Sequence, residues 1–306
     1  MRRFALACAS ISILALQLSA QGTPSRLPDL QGLWTNGTAT PLERPTEFAN
    51  KAFFTAAEAT AFERTALERT VKTLPPEDQI GADLTDIYYD GLHVVADRRT
   101  SLIVEPLDGK LPPILPQARL RAANRPTRSY DDPEAMSLTE RCLLSTALGS
   151  SNAAPPMIPN PLAQNFYQIV QTPDRVVIYT ELIHDARIIR LAGQHLPSVV
   201  HLWLGDSIGH WERDTLVVDT TNFTDKTHFR GSSERLHVVE RFRRTDAKTV
   251  QYRVTVDDPE TWAQSWTADI PFMAIDTPVL EYACHEGNYS MENTLRGARA
   301  QQKDKQ

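Results

Sequence analysis

Residues 203–223, WLGDSIGHWERDTLVVDTTNF, decide the fold. The stretch reads as a β-hairpin. Gly205 and Gly209 loosen the approach, residues 209–212 form the incoming strand, Arg213-Asp214 the turn and residues 215–220 the outgoing strand. With a two-residue turn, Trp211 faces Leu216 and Gly209 faces Val218, which makes one apolar face. His210, Glu212, Thr215 and Asp219 then fall on the opposite, polar face, because side chains alternate along a strand. One apolar and one polar face is the pattern of a half-buried antiparallel sheet, not of the doubly covered strands of a parallel one.

Outward from the hairpin, the chain from Phe166 onward is almost all strand. Residues 166–171 and 176–183 flank Thr172-Pro-Asp-Arg, a type I turn with Pro at its second position. Residues 184–191 continue that strand or pair back on it. Residues 236–244 and 249–257 flank a second hairpin turn, Asp246-Ala-Lys, and 262–270 and 279–284 follow as strands. Upstream, residues 87–96 and 100–104 read as two more. A Gly-x-Trp at Gly32–Trp34 is the device with which lipocalin-like barrels close their floor. The expected fold is all-β: an antiparallel, lipocalin- or calycin-like barrel with a few helical decorations. Thr55 and Glu58 make a capping box for a helix over 55–71, which Pro75-Pro76 cannot continue. Short helices are expected over 115–123, 137–144 and 288–299, and the Pro-rich stretch 149–164 reads as a long loop of the kind that borders a site or covers a barrel mouth.

The first twenty residues look like a secretion signal. Arg2 and Arg3 are its positive end, residues 4–18 its apolar run, and Leu18-Ser19-Ala20 a cleavage site. The apolar run is shorter than the roughly 20 residues a membrane helix needs. The expected organisation is thus a signal over 1–20, a single barrel domain over 21–299 and a disordered tail over 300–306, with the protein periplasmic or secreted and without a stable membrane span. A net charge of −6 and the lack of basic runs with interleaved aromatics argue against nucleic acid as a partner. Once the signal is removed, Cys142 and Cys284 remain, and in an oxidising compartment the simplest fate of such a pair is a disulfide. A metal pair with nearby histidines such as His285 is the alternative, without CxxC spacing to support it.

Chemistry is less legible. Gly205-Asp-Ser-Ile-Gly209 has the spacing of a nucleophile elbow around Ser207, but a hairpin follows where that motif needs a helix. The eight histidines form no HxH or HExxH pair, so no metal site and no cofactor is expected. His210 and His237 fall on the outer face. Residues 179–190, YTELIHDARIIR, differ from an ordinary half-exposed strand because both faces mix apolar and ionisable groups, as in a barrel with a polar-spotted ligand cavity. Here His184 is the candidate general acid or base and Arg187 the candidate anion holder. Tyr179, Glu181, Tyr88 and His285 are candidate substrate contacts. A buried histidine with an Arg–Glu pair tying two strands together accounts for the same residues without any activity.

The longer motifs are Arg99-Thr-Ser-Leu-Ile-Val, Ile183-His-Asp-Ala-Arg, Trp203-Leu-Gly-Asp-Ser, Asp214-Thr-Leu-Val-Val-Asp-Thr-Thr-Asn-Phe, Phe229-Arg-Gly-Ser-Ser-Glu and Tyr282-Ala-Cys-His-Glu-Gly-Asn. Together they resemble a large, mostly uncharacterised family of exported bacterial β-rich proteins. The resemblance implies export and a β-rich domain and brings no catalytic residues. Arg213 stands where that family has glycine, so a turn wider than two residues is the alternative register. The function expected from the residues is cofactor-independent acid–base chemistry, of lyase or isomerase type, on a small hydrophobic or aromatic molecule. The alternatives are a lipocalin-like binding protein and a metal-dependent hydrolase.

Overall fold

In the computed structural model of the chain, residues 27–73, 93–124, 130–144, 155–159, 165–226 and 229–303 are described. The signal segment, Tyr88 and most of the 149–164 loop lie outside them. The opening stretch forms β6 (Asp206–Glu212) and β7 (Thr215–Thr221), with Glu212 opposite Thr215, Trp211 opposite Leu216 and Gly209 opposite Val218. The turn therefore has two residues. Arg213 takes a φ of 58°, the left-handed conformation a tight hairpin demands and glycine would supply without strain.

The other strands are β1 (Gly32–Thr35), β2 (Ile103–Glu105), β3 (Phe166–Gln171), β4 (Arg175–Thr180), β5 (Ala186–Arg190), β8 (His237–Arg244), β9 (Thr249–Asp257) and β10 (Trp266–Ala274). β3 to β10 follow one another in space, and β1 pairs with both β3 and β10, closing a barrel of nine strands. β2 lies outside the ring against β10. Every neighbouring pair is antiparallel except β5 and β6, which run parallel. Among the described residues three α-helices decorate the barrel: α1 (Ala56–Thr73), α2 (Pro116–Ala123) and α3 (Tyr289–Lys303). α1 opens on the reciprocal bonds of its capping box, Glu58 N–H to Thr55 Oγ1 at 3.3 Å and Thr55 N–H to a Glu58 carboxylate oxygen at 2.8 Å.

Among the described residues, the barrel centre is packed. Phe272 lies within ring-contact range of Tyr167 (5.1 Å between centroids), Tyr252 (5.3 Å) and Phe242 (6.5 Å), and all four are fully buried. Met157 and Ile158, from the 155–159 segment, are buried in the same core. Trp34 closes one end, donating its indole N–H to the Leu30 carbonyl at 3.1 Å, with the Arg244 guanidinium 5.3 Å from its ring centre. Among the described residues, aromatic side chains thus occupy the centre of the barrel, where the sequence led us to expect a ligand cavity.

Five further expectations change. The strand read over 176–183 stops at Thr180, because Ile183 and His184 both take positive φ and reverse the chain. Residues 279–284 make no strand, and Cys284 opens a turn. Residues 93–96, the described part of the strand expected over 87–96, are irregular, and 137–144 form turns rather than a regular helix. At the other end α3 runs to Lys303, through most of the expected disordered tail. No described helix is long and apolar enough to cross a membrane.

Candidate functional site

Of the residues singled out from sequence, the structure brings some together and separates the rest. β4 and β5 form a hairpin whose tight reversal is held by His184 N–H to the Glu181 carbonyl (3.0 Å) and Thr180 N–H to the Asp185 carbonyl (2.9 Å). That reversal explains the mixed faces of 179–190: they belong to two strands and a turn, not to one strand. His184 is exposed at the turn, its Nδ1 2.8 Å from the Tyr282 carbonyl and its ring 6.2 Å from that of His285. Arg187 points the other way, into the barrel. It makes a two-pronged pair with Glu240 at 2.8 and 3.0 Å, both side chains almost fully buried. The Tyr252 hydroxyl donates to the same carboxylate at 2.9 Å and accepts from Met157 N–H at 3.1 Å. Both terminal nitrogens of Arg187 are thus committed to Glu240, while its buried Nε has no hydrogen-bond partner, and His184 lies apart from it at the surface. Glu181 is buried and accepts from Leu280 N–H at 2.8 Å; burial raises its carboxyl, against that hydrogen bond. Tyr179 is half-buried on the outer face, between Gln168 and Ala186. Ser207 is buried and shares a 2.9 Å hydrogen bond with Thr220, so it is no exposed nucleophile. Cys142 and Cys284 are bonded, with Cα atoms 5.8 Å apart, tying the 137–144 turns to the segment that leads into α3.

The site that does emerge lies at the parallel seam. A crossover over 191–205 returns the chain to the start of β6, and only Ile189–Ser207 and Arg190–Ile208 then pair across β5 and β6. Gly205, at a φ of 70°, steers the incoming chain toward β7; a Cβ there would sit 2.7 Å from Thr220 and 2.8 Å from Phe223. Leu202 instead bridges to Phe223. The two chains diverge and leave a slot of about 500 Å³ in the barrel wall, lined among others by Asp185, Ile188, Arg175, Leu143, Trp203 and Leu204.

Asp185 is the group sequence reasoning passed over. Burial raises its carboxyl to about 6, only partly opposed by the neighbouring His184, and its Oδ2 is buried with no hydrogen-bond partner. Such a carboxyl holds or gives up a proton near neutral pH. The available signal was its place beside His184 at the start of a strand; assigning the faces of 179–190 as one strand, rather than with 184–191 paired back, hid it.

A second group missed from sequence braces the outer side of the seam. Arg190 grips both oxygens of Asp206, at 2.6 and 3.1 Å. His195 lies between two carboxylates, Nδ1 2.9 Å from Asp206 and Nε2 2.9 Å from Asp219, and His237 Nε2 reaches the other oxygen of Asp219 at 2.9 Å. The His237 hydrogen bond holds Asp219 below the ordinary carboxylate range, and Asp219 in turn raises His237. Burial works to raise Asp206, but Arg190, the Leu196 N–H and His195 outweigh it and hold it low. The alternation that put Asp219 on the polar face was the sequence signal for this network. Among the described residues, no three His, Cys, Asp or Glu side chains are arranged to hold a metal ion.

Fold and site together define a closed, aromatic-filled β-barrel with a slot at its one parallel seam. The chain matches no protein-family model, no curated protein and no solved structure.

Proposed function

We propose that the protein binds a small molecule with a hydrophobic or aromatic part in the β5–β6 slot and acts on it by acid–base chemistry of lyase or isomerase type, with Asp185 as the proton carrier. The observation that carries this reading is the coincidence of a desolvated, near-neutral carboxyl with an apolar-lined recess. Asp185 takes the place first given to His184, which is occupied at the surface by the Tyr282 carbonyl. Trp203, Leu204, Leu143 and Ile188 would seat the apolar part. Export to the periplasm or medium belongs to the same proposal; the signal-like first twenty residues, the disulfide and the resemblance to exported bacterial proteins support it.

Acid–base chemistry leaves a trace even without a known product. The protein is incubated in D2O with a small-molecule extract of bacterial culture medium, and deuterium uptake into carbon positions is followed by NMR. Uptake into one component, reduced about 10²–10⁴-fold in Asp185→Asn, is expected. Wild-type protein that retains a component stoichiometrically without exchange or turnover would establish the binding-protein reading instead.

A further inference from the structure

We propose that the ligand of the slot is an extended, amide-bearing chain, a short peptide, that pairs with the free edge of β5 as an added strand. The proposal rests on the slot being the ligand site and names the class of molecule it takes.

The argument comes from the phase of the β4–β5 hairpin. Thr180 N–H donates to the Asp185 carbonyl and Leu191 N–H to the Asp174 carbonyl, each at 2.9 Å, at opposite ends of a continuous register. In an antiparallel ladder such bonded pairs alternate with non-bonded ones. Residues 185, 187, 189 and 191 thus turn their peptide groups toward β4, and Ala186, Ile188 and Arg190 turn theirs toward β6. The two parallel pairs with β6 use both groups of Arg190 and the carbonyl of Ile188. The N–H and C=O of Ala186 and the N–H of Ile188 remain directed at the slot. Among the described residues, no loop backbone bonds to them.

Barrels close to abolish such edges, and an exposed strand edge is a template for pairing with another chain. The free groups recur every second residue, about 6.5–7 Å apart, which is the repeat of an extended peptide. The side chains flanking this edge suit the same occupant. Ile188 is half-exposed beside it, Leu143 and Leu204 line the slot, and they receive an aliphatic or aromatic side chain. A ligand carboxylate has one exposed cation to meet. Arg190 and Arg187 are held by Asp206 and Glu240 inside the wall, whereas Arg175 stands at the rim, about half exposed, in a surface ion pair with Asp174 at 3.3 Å that a ligand carboxylate can share. A short peptide with an apolar centre and a free C-terminus near Arg175 meets all these features.

The test uses N-acetylated tetrapeptides with aliphatic or aromatic central residues and a free C-terminus, alongside anilinonaphthalene sulfonate as an apolar probe without a peptide backbone. Binding is followed by NMR, with amide exchange of the whole chain as readout. Expected are slowed exchange at Ala186 and Ile188, an affinity loss of about tenfold or more when N-methyl groups are placed on the peptide amides in one alternating phase, and little loss in the other phase. Arg175→Gln should weaken the free acid but not the C-terminal amide. If the sulfonate occupies the slot while no peptide protects those amides, or if both N-methylation phases act alike, the peptide class is wrong and the slot stands. If neither probe shifts slot resonances, the slot reading fails and the peptide with it.

Discussion

β6 presents two edges to its neighbours, and they differ sharply. Against β7 it is paired along its whole length, from Asp206–Thr221 to Glu212–Thr215; against β5 it pairs at two positions only. The hairpin edge carries the conspicuous sequence and does ordinary architectural work. The seam edge leaves backbone groups and a recess uncommitted, and its outer side relies on Arg190, Asp206, His195 and Asp219 instead of ladder bonds. In this barrel the best-paired region explains the shape, and the worst-paired one is where chemistry has room.

The contrast is testable on both sides. The largest effect is expected in the packed interior. Arg187→Met strands the Glu240 carboxylate in a fully buried site and should cost about 3–5 kcal/mol in urea unfolding, while Arg187→Met combined with Glu240→Leu recovers most of it. A single-variant loss under about 1 kcal/mol would mean that the interior is as loose as the seam. At the seam the sign reverses. Asp185 has a raised carboxyl, so its ionisation costs stability as pH climbs from the ordinary 3.8 through about 6. Asp185→Asn should therefore stabilise by about 1–2 kcal/mol above pH 7 and give no gain near pH 4. Equal stability of the two proteins at both pH values would remove Asp185 from the site.

The smallest expected effect is in the outer brace. Asp206 and Asp219 are held low, so their contribution is present above the ordinary carboxylate value of 3.8 and fades as pH falls through the lowered values. His237 is raised, so its contribution is whole below the ordinary 6.5 and fades as pH rises through the raised value. The brace is complete between those limits. His237→Gln keeps a polar group but loses the cation beside Asp219; a loss of about 1 kcal/mol at pH 5.5, shrinking toward pH 8.5, is expected from thermal unfolding. A loss independent of pH would show that His237 acts by packing alone.

Much of the barrel was legible because its signals are local. Trp211, Leu216 and Val218 alternate with polar neighbours, and a two-residue turn fixes their register. Thr55 and Glu58 sit at capping spacing. The slot was not legible for an equally physical reason. Ile183 is a β-branched residue whose propensity says strand, yet it occupies the left-handed region and reverses the chain. Once that break is missed, His184 and Arg187 fall near one another on paper, while the fold sends one to the surface and the other to the centre. His195 and His237 were unremarkable singly; the fold brings His195 from the crossover and His237 from the start of β8 to the two oxygens of Asp219.

The bond between Cys142 and Cys284 has a topological consequence. Strands β3 to β10 all lie between the two cysteines, so they form part of one covalent ring, and β1, which seals the barrel, enters from outside it. A single peptide cleavage anywhere within that ring leaves the two fragments joined until a thiol reduces the bridge. On a gel the nicked protein would run as one species without reductant and as two with it.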